Sequence, residues 1–325
     1  MWIVFIPVVY LYFLKKSFNE PNYRRNVVER FGFTPAFKKE SIWIHAVSLG
    51  ELRAAIPLIQ YFLEKSEYLI ITTITPAGRD EAKRHFSEEI KNDNVLVVYL
   101  PLEYDLVFHW FFSRYRPKLG LILEYELWPV MITSCVKHDV PIVLAQAQYV
   151  EKSFVRDKKL GFRRSLLDCF DLILAKSDLH AERFRARTIT RVDVMGELRF
   201  EQEIKSDHIE EANNFLKALK LTECSRAAFC FGSTGPGEDE GLIRVMQMLI
   251  ERSKSLGKPK PFFVYVPRHK KDFQKIRSKI SASGLIFVDR TEILDSKLVL
   301  NTTPQLDMKN IDGLFGNSLG EINFY

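Results

Sequence analysis

The chain has 325 residues, more than one hydrophobic core usually organises, so two domains of roughly 100 to 200 residues each are expected. Apolar residues make up 46% and charged residues 27%, with 15 glycines and 14 prolines, which excludes collagen-like, disordered and low-complexity chains. Lys and Arg number 47 against 41 Asp and Glu, a net of +6, which suits an anionic surface or ligand but falls short of the dense positive stripe of a nucleic-acid binder.

The first predicted element is apolar. Residues 2–14 (WIVFIPVVYLYFL) carry no charge and end at Lys15 and Lys16. A transmembrane helix needs about 20 apolar residues, and no small-residue cleavage site follows as a signal peptide requires. An interfacial anchor over residues 1–16 or a helix buried in the fold remain. Trp2, Tyr10 and Tyr12 suit an interface. Up to Glu40, Lys15, Lys16, Arg24, Arg25, Arg30, Lys38 and Lys39 oppose Glu20, Glu29 and Glu40, so +4 of the net charge lies here. Basic residues near an anionic leaflet contribute roughly 1 kcal/mol each, so the segment reads as a peripheral anchor to anionic lipids on the cytoplasmic face.

Seven apolar, β-branched runs follow: residues 41–47, 68–74, 95–101, 119–126, 141–146, 171–177 and 192–196. They read as buried parallel strands. The segments between them carry helical spacing, as in Leu52, Ile56, Ile59 and Leu63, where steps of three and four lay one stripe against a sheet. Alternating strand and helix implies βα units and a doubly wound α/β sheet. After Phe200 comes a charged stretch, then a second strand series at residues 227–233, 262–268, 285–289 and 298–302. The boundary is placed near 205, giving domains at 17–205 and 206–325, expected to face one another across a cleft. In open parallel sheets ligands sit at the carboxyl ends of the strands. Cys135, Cys169, Cys224 and Cys230 show no C-x-x-C spacing and read as reduced core thiols.

Three groups of residues at predicted strand ends can carry chemistry. The first is His45-Ala46-Val47-Ser48-Leu49-Gly50-Glu51. Gly50 is expected to let the backbone turn and to leave room for a ligand, with Glu51 in the first helical turn facing the cleft. The same spacing equally describes a capping box of Ser48 and Glu51. A helix N-terminus favours the ionised carboxylate by about 0.3 to 1 kcal/mol, whereas burial can raise its pKa by several units. Burial must win if Glu51 is a base. The second group is Glu124-Tyr125-Glu126-Leu127-Trp128-Pro129. Strand alternation would put Glu124 and Glu126 on one face, where they grip hydroxyls, raise each other's pKa or simply solvate a strand end.

The third group lies in the second domain: Gly232-Ser233-Thr234-Gly235-Pro236-Gly237-Glu238, then Pro267-Arg268-His269, then Ser318-Leu319-Gly320-Glu321. Glycine and hydroxyl residues expose backbone N–H groups, and an Arg after a strand can pair with phosphate, so together they point to an anionic nucleotide site. The glycine loop lacks the Gly-Lys-Ser/Thr of a P-loop. H-E-x-x-H and D-x-D are absent from the sequence, so a transfer without metal or cofactor is the simplest enzymatic reading.

These motifs in this order resemble the Kdo transferases, which move 3-deoxy-D-manno-octulosonic acid (Kdo) from CMP-Kdo to the lipid A precursor. The likeness begins at the anchor and Glu29-Arg30-Phe31-Gly32, and runs through residues 43–51 and Thr73-Ile74-Thr75-Pro76. It continues through residues 124–129, Ser153-Phe154, residues 196–200, Ser233-Thr234 with Gly237-Glu238, Pro267-Arg268-His269 and Gly320-Glu321. H-A-V-S-x-G-E together with E-x-E-L-W-P is specific to that family.

The resemblance implies a GT-B fold: two Rossmann-like domains behind an N-terminal membrane-anchor helix, the acceptor on the first domain and CMP-Kdo on the second. It implies Glu51 as general base, Ser48 and Gly50 beside it, and Glu124 and Glu126 as an acidic pair at the active site. Ser233, Thr234, Arg268, His269, Gly320 and Glu321 are then parts of the CMP-binding surface. An inverting transfer needs one base for the acceptor hydroxyl. The setting implied is the cytoplasmic face of the inner membrane, with anionic lipids and a lipid A precursor as partners. Tyr125 stands where threonine is usual, Gln146 and Gln148 where asparagine and arginine are usual, and Gly235 where histidine is common. The family continues past the position of Tyr325 through a glycine-rich segment, so the second domain is expected to be incomplete. The alternatives are another GT-B enzyme, such as a nucleotide-sugar epimerase or a different lipid glycosyltransferase, and a non-catalytic membrane-bound homologue.

Overall fold

A computed structural model describes residues 21–158, 161–201, 206–218, 226–299, 310–318, 321, 324 and 325. The expected anchor over residues 1–16, together with Cys224 and Gly320, lies outside them. No helix among the described residues is long and apolar enough to cross a membrane. The chain divides into two compact units, Met1–Gln202 and Glu203–Tyr325.

The first unit is built on seven strands: β1 (Ser41–His45), β2 (Tyr68–Thr73), β3 (Val95–Tyr99), β4 (Leu119–Leu123), β5 (Ile142–Ala147), β6 (Leu172–Ala175) and β7 (Val192–Val194). They form one parallel sheet in the order β3-β2-β1-β4-β5-β6-β7. Between them run α1 (Leu49–Glu64), α2 (Pro76–His85), α3 (Ser87–Lys91), α4 (Asp105–Tyr115), α5 (Pro129–Lys137), α6 (Glu151–Asp157), α7 (Gly161–Leu167) and α8 (Asp178–Arg185). Every residue of β1 is buried, so its side chains serve both faces of the sheet. Trp43 packs on one side among Phe108, Phe111 and Phe112. Ile42 and Ile44 pack on the other with Leu52, Ala55 and Ile59 of α1. This two-sided burial makes the strands read as continuous apolar runs.

The strand order reverses between β1 and β4, which pair from Ile42↔Leu119 to His45↔Ile122. Chains leaving the carboxyl ends of these two strands diverge to opposite sides and leave a crevice there. The H-A-V-S-L-G-E run leaves β1 at this point, and E-Y-E-L-W-P leaves β4 beside it.

The second unit holds α9 (Ser206–Ala218), β8 (Ala228–Thr234), α10 (Asp239–Ser255), β9 (Phe262–Pro267), α11 (Phe273–Ala282), β10 (Phe287–Asp289), α12 (Arg290–Ile293) and β11 (Gly313–Phe315). The sheet order is β10-β11-β9-β8, all parallel. The run at 227–233 forms β8, an edge strand whose residues are mostly exposed. One sequence expectation is corrected here. Leu298 and Val299, the described part of the run at 298–302, are not strand residues; Leu298 is buried in the core beside Leu294 and Leu314. The place in the sheet is taken instead by β11. Gly313 explains that choice: a Cβ there would stand 2.2 Å from the carbonyl oxygen of Phe263, so only glycine permits so close a backbone approach.

Candidate active site

The β1–α1 connection positions Glu51. His45 ends β1 fully buried, its Nδ1 2.9 Å from Thr72 Oγ1, which also accepts from Trp43 Nε1 at 2.8 Å. Burial lowers the His45 pKa to about 4, so this imidazole is neutral near pH 7. The carbonyl of Val47 accepts from both Ile74 N and Thr75 N at 3.1 Å, which clasps the connection against the β2–α2 loop. Ser48 then caps α1 in extended conformation, its Oγ accepting from Glu51 N at 3.4 Å.

The Glu51 carboxylate turns back on its own helix start. Val47 N donates to Oε2 at 2.7 Å and Ser48 Oγ donates to Oε1 at 3.1 Å. The capping geometry is therefore realised, with the carboxylate reaching one residue further back than in the usual box. Each oxygen keeps a second lone pair. Burial raises the Glu51 pKa to about 7; the Val47 and Ser48 hydrogen bonds pull it down, and the charges of Glu126 and Glu124 push it up. Burial thus outweighs the helix-end hydrogen bonds, and Glu51 feels both acids of the β4 end.

A raised folded pKa has a consequence for stability. The contribution of Glu51 is fully present below its unfolded value near 4.5 and is lost as pH rises through about 7. At pH 8, Glu51→Gln is expected to melt no lower than the parent chain; a clear loss in thermal denaturation would show that the cap outweighs the burial.

Gly50 does not act as expected. It lies exposed in the first turn of α1, and a Cβ there would find only Ser48 Oγ, at 3.9 Å, so no turn depends on it. The glycine that the site requires is Gly78, which the sequence reading missed. A Cβ on Gly78 would stand 3.2 Å from the Ser48 carbonyl carbon and 3.4 Å from Leu49 N. Backbone cannot yield cheaply, so Gly78→Ala is expected to cost about 1 to 3 kcal/mol in urea denaturation, and a loss below about 0.5 kcal/mol would contradict the tight contact.

The β4 end differs from expectation as well. The strand stops at Leu123, and Glu124 takes a left-handed backbone at φ 62, so alternation along a strand does not place Glu124 and Glu126 on a common face. Glu124 Oε1 pairs with Lys176 Nζ at 2.7 Å. Glu126 Oε2 accepts from Trp128 Nε1 at 2.5 Å, and its pKa is raised by burial first and by the Glu124 charge second. Tyr125 goes elsewhere, donating to Asp157 Oδ2 at 2.6 Å and stacking on Tyr149 at 4.6 Å. Sequence reasoning gave no role to Lys176, at the end of the run 171–177, or to Glu197, within the 196–200 stretch of the resemblance; they follow β6 and β7 and meet at 3.3 Å.

In the second unit the parallel strands bring the β8, β9 and β11 loops to the same sheet edge. Arg268 N donates to the Thr234 carbonyl at 3.0 Å, joining the first two loops. Ser233 has φ 59 and Gly237 φ 91, and Gly235 N donates to Glu238 Oε2 at 2.7 Å. Thr234 is buried, while Ser233, Arg268 and His269 are exposed. Glu321 is committed internally: Arg290 Nη2 lies 2.8 Å from its Oε1, and Ser318 and Tyr325 donate to Oε2. Residues 316–320 also carry G-x-S-x-G spacing, but the Ser318 hydroxyl donates to the Glu321 carboxylate. Cys135, Cys169 and Cys230 are free thiols.

Residues 25–202, more than half of the chain, match the family described as 3-deoxy-D-manno-octulosonic-acid transferase (kdotransferase). A 3-deoxy-D-manno-octulosonic acid transferase from Bordetella pertussis is 29% identical over 90% of this chain and 64% of its own length. One from Haemophilus influenzae is 25% identical over 97% of this chain and 70% of its own. The chain thus spans about two thirds of each. Among solved structures, a glycosyltransferase from Rickettsia africae aligns at TM-score 0.49 and 12% identity, covering 89% of this chain and 71% of its own. With the sheet reversal, the two acidic motifs and this match over residues 25–202, the chain belongs to the 3-deoxy-D-manno-octulosonic-acid transferase family.

Proposed function

We propose that the chain is an inverting GT-B glycosyltransferase that transfers Kdo from CMP-Kdo to a lipid A precursor, lipid IVA, in lipopolysaccharide biosynthesis. Glu51 removes the proton from the acceptor hydroxyl. The observation that carries this reading is the Glu51 carboxyl, half-buried at the strand-order reversal beside two further acids, where burial and the charges of Glu126 and Glu124 raise its pKa to about 7. A general base is most effective when its pKa lies near the working pH, and an ordinary surface glutamate near 4.5 does not meet that condition.

The other roles follow from position. Glu124 and Glu126 face the same reaction centre and act on Glu51 electrostatically. Ser233, Thr234, Arg268 and His269 form the nucleotide surface of the second unit, where exposed N–H groups and a guanidinium suit a phosphate diester. The basic, aromatic N-terminal sequence supports attachment to anionic lipid at the cytoplasmic face of the inner membrane.

Two experiments test the proposal. With CMP-Kdo regenerated in situ and lipid IVA in micelles, Kdo transfer to lipid is the expected result; acceptor binding without turnover would mark a non-catalytic homologue. In calorimetric titrations CMP should bind at least about tenfold more tightly than UDP or ADP, a difference of about 1.4 kcal/mol. Preference for UDP would instead point to another nucleotide-sugar enzyme.

A further inference from the structure

The carboxyl ends of four neighbouring strands converge on one cation. Lys176 follows β6, and its side chain is 9% exposed. Its Nζ lies 2.7 Å from Glu124 Oε1 after β4, 3.0 Å from Gln148 Oε1 after β5 and 3.3 Å from Glu197 Oε2 after β7. An ammonium has three donors, and three acceptors meet it. Glu197 is held in turn by Gln146, whose Nε2 donates to Glu197 Oε1 at 2.6 Å.

Two members of this network hold strained backbone. Glu124 at φ 62 and Gln146 at φ 52 are both left-handed without being glycine. Such residues cost about 1 to 3 kcal/mol each and persist where their surroundings over-determine them. Here the side chains of both end in the same ionic network, so the strain is matched to the direction in which Glu124 and Gln146 are aimed. The network also decides the charge balance. Glu51, Glu124, Glu126 and Glu197 bring four carboxyl groups to this edge of the sheet, and three like-charged neighbours would drive protons onto the group being used as a base.

We propose that Lys176 is the positioning residue of this site: it clamps Glu124 in its left-handed turn and supplies the positive charge that offsets the carboxylates around Glu51. Its three donors are already engaged, so it serves Glu124 and Glu197 rather than the substrate. Gln148, at the position where the resemblance leads one to expect arginine, accepts from Lys176; the cation therefore comes from the adjacent strand. The charges acting on Glu51 from the packed elements are those of Glu126 and Glu124 after β4, and Lys176 after β6 reaches them through its pair with Glu124. Glu197 follows β7, and Arg199 lies in the short helix Leu198–Glu201 packed against α1, 3.9 Å from Glu197. On α1 itself Arg53 is turned to Glu81.

The mechanistic use of this arrangement rests on Glu51 being the base, but the charge coupling can be read without turnover. In the full chain carrying carboxyl-carbon-13 glutamate, the Glu51 signal is identified by its loss in E51Q and followed by NMR from pH 4 to 9. Lys176→Met should raise the Glu51 midpoint by about half a pH unit or more. Adding Gln148→Arg to K176M should bring it most of the way back, since a cation then returns from the neighbouring position. The rate of Kdo transfer should fall about 10- to 100-fold in K176M and recover in the double variant. Lys176→Gln keeps a donor toward Glu124 and is read in the same way should K176M melt early. A Glu51 midpoint that moves by less than about 0.2 pH units in both variants overturns the proposal, as does a raised midpoint that Q148R fails to lower. A chain that shows the coupling but no transfer would refute the transferase reading and leave the role of Lys176 standing.

Discussion

Glu51→Gln should slow Kdo transfer by about 10² to 10⁴-fold, the usual contribution of a general base, with little change in melting temperature or in CMP binding. The amide keeps the shape of the side chain and one carbonyl oxygen that can accept from Val47 N, now at 2.7 Å from the carboxylate. The helix start is therefore retained while the proton acceptor is lost. Glu51→Ala is the contrasting variant. It removes the helix-end contact as well and should cost a further 1 kcal/mol or so of stability. Turnover within about threefold of the parent in E51Q would take Glu51 out of the mechanism and leave it as a capping residue.

The second large effect is on folding. Glu29 and Arg79 form an ion pair whose side chains are 6% and 7% exposed. The same carboxylate accepts from Tyr99 N at 3.0 Å and from Asn26 Nδ2 at 2.8 Å. The Arg30 and Arg79 guanidiniums lie 3.9 and 5.0 Å from the Tyr99 ring centroid. Removing one partner of a buried pair leaves the other charge desolvated, which costs about 3 to 5 kcal/mol. Glu29→Ala should therefore lower the melting temperature by roughly 6 to 20 °C, at about 2 to 4 °C per kcal/mol for a unit of this size. A loss under about 1 kcal/mol in urea denaturation would show that the arginines are solvated instead. The cluster also supports the site, because Arg30 Nη2 donates to the Ile74 carbonyl at 2.6 Å and Ile74 N donates to Val47, the residue whose own N–H holds Glu51.

The β-strands of the first unit were legible because a sheet buried on both faces leaves uninterrupted apolar runs, and β1 is buried at every position. The same rule misled at 298–302, where Leu298 packs into the core and Val299 lies exposed, neither in a strand, while the three-residue β11 is set by the close approach that Gly313 allows. Local spacing carried both readings of Glu51, since a capping box and a base at a helix start use the same residues. It did not carry the geometry of Glu124, because the left-handed turn at φ 62 breaks the alternation on which the reading of that acidic pair relied. The pairing of Lys176 with Glu197 was not legible for a different reason. They reach the site from strands far along the chain, and only the strand order β1-β4-β5-β6-β7 makes them neighbours. Gly50 and Gly78 are equally plain in sequence, yet only the packing of α2 on the β1–α1 connection shows which of them cannot bear a side chain.

The account rests on Glu51 working as a base whose pKa the fold has raised to about 7. The pH dependence of kcat/KM for CMP release in the presence of lipid acceptor tests this most directly, since it reports the ionisation of the free enzyme. The predicted profile climbs about tenfold per pH unit below neutrality and levels off above about 7, and this limb disappears in E51Q. A limb centred near 4.5, where an unburied glutamate titrates, or a limb that survives the loss of Glu51, would contradict it.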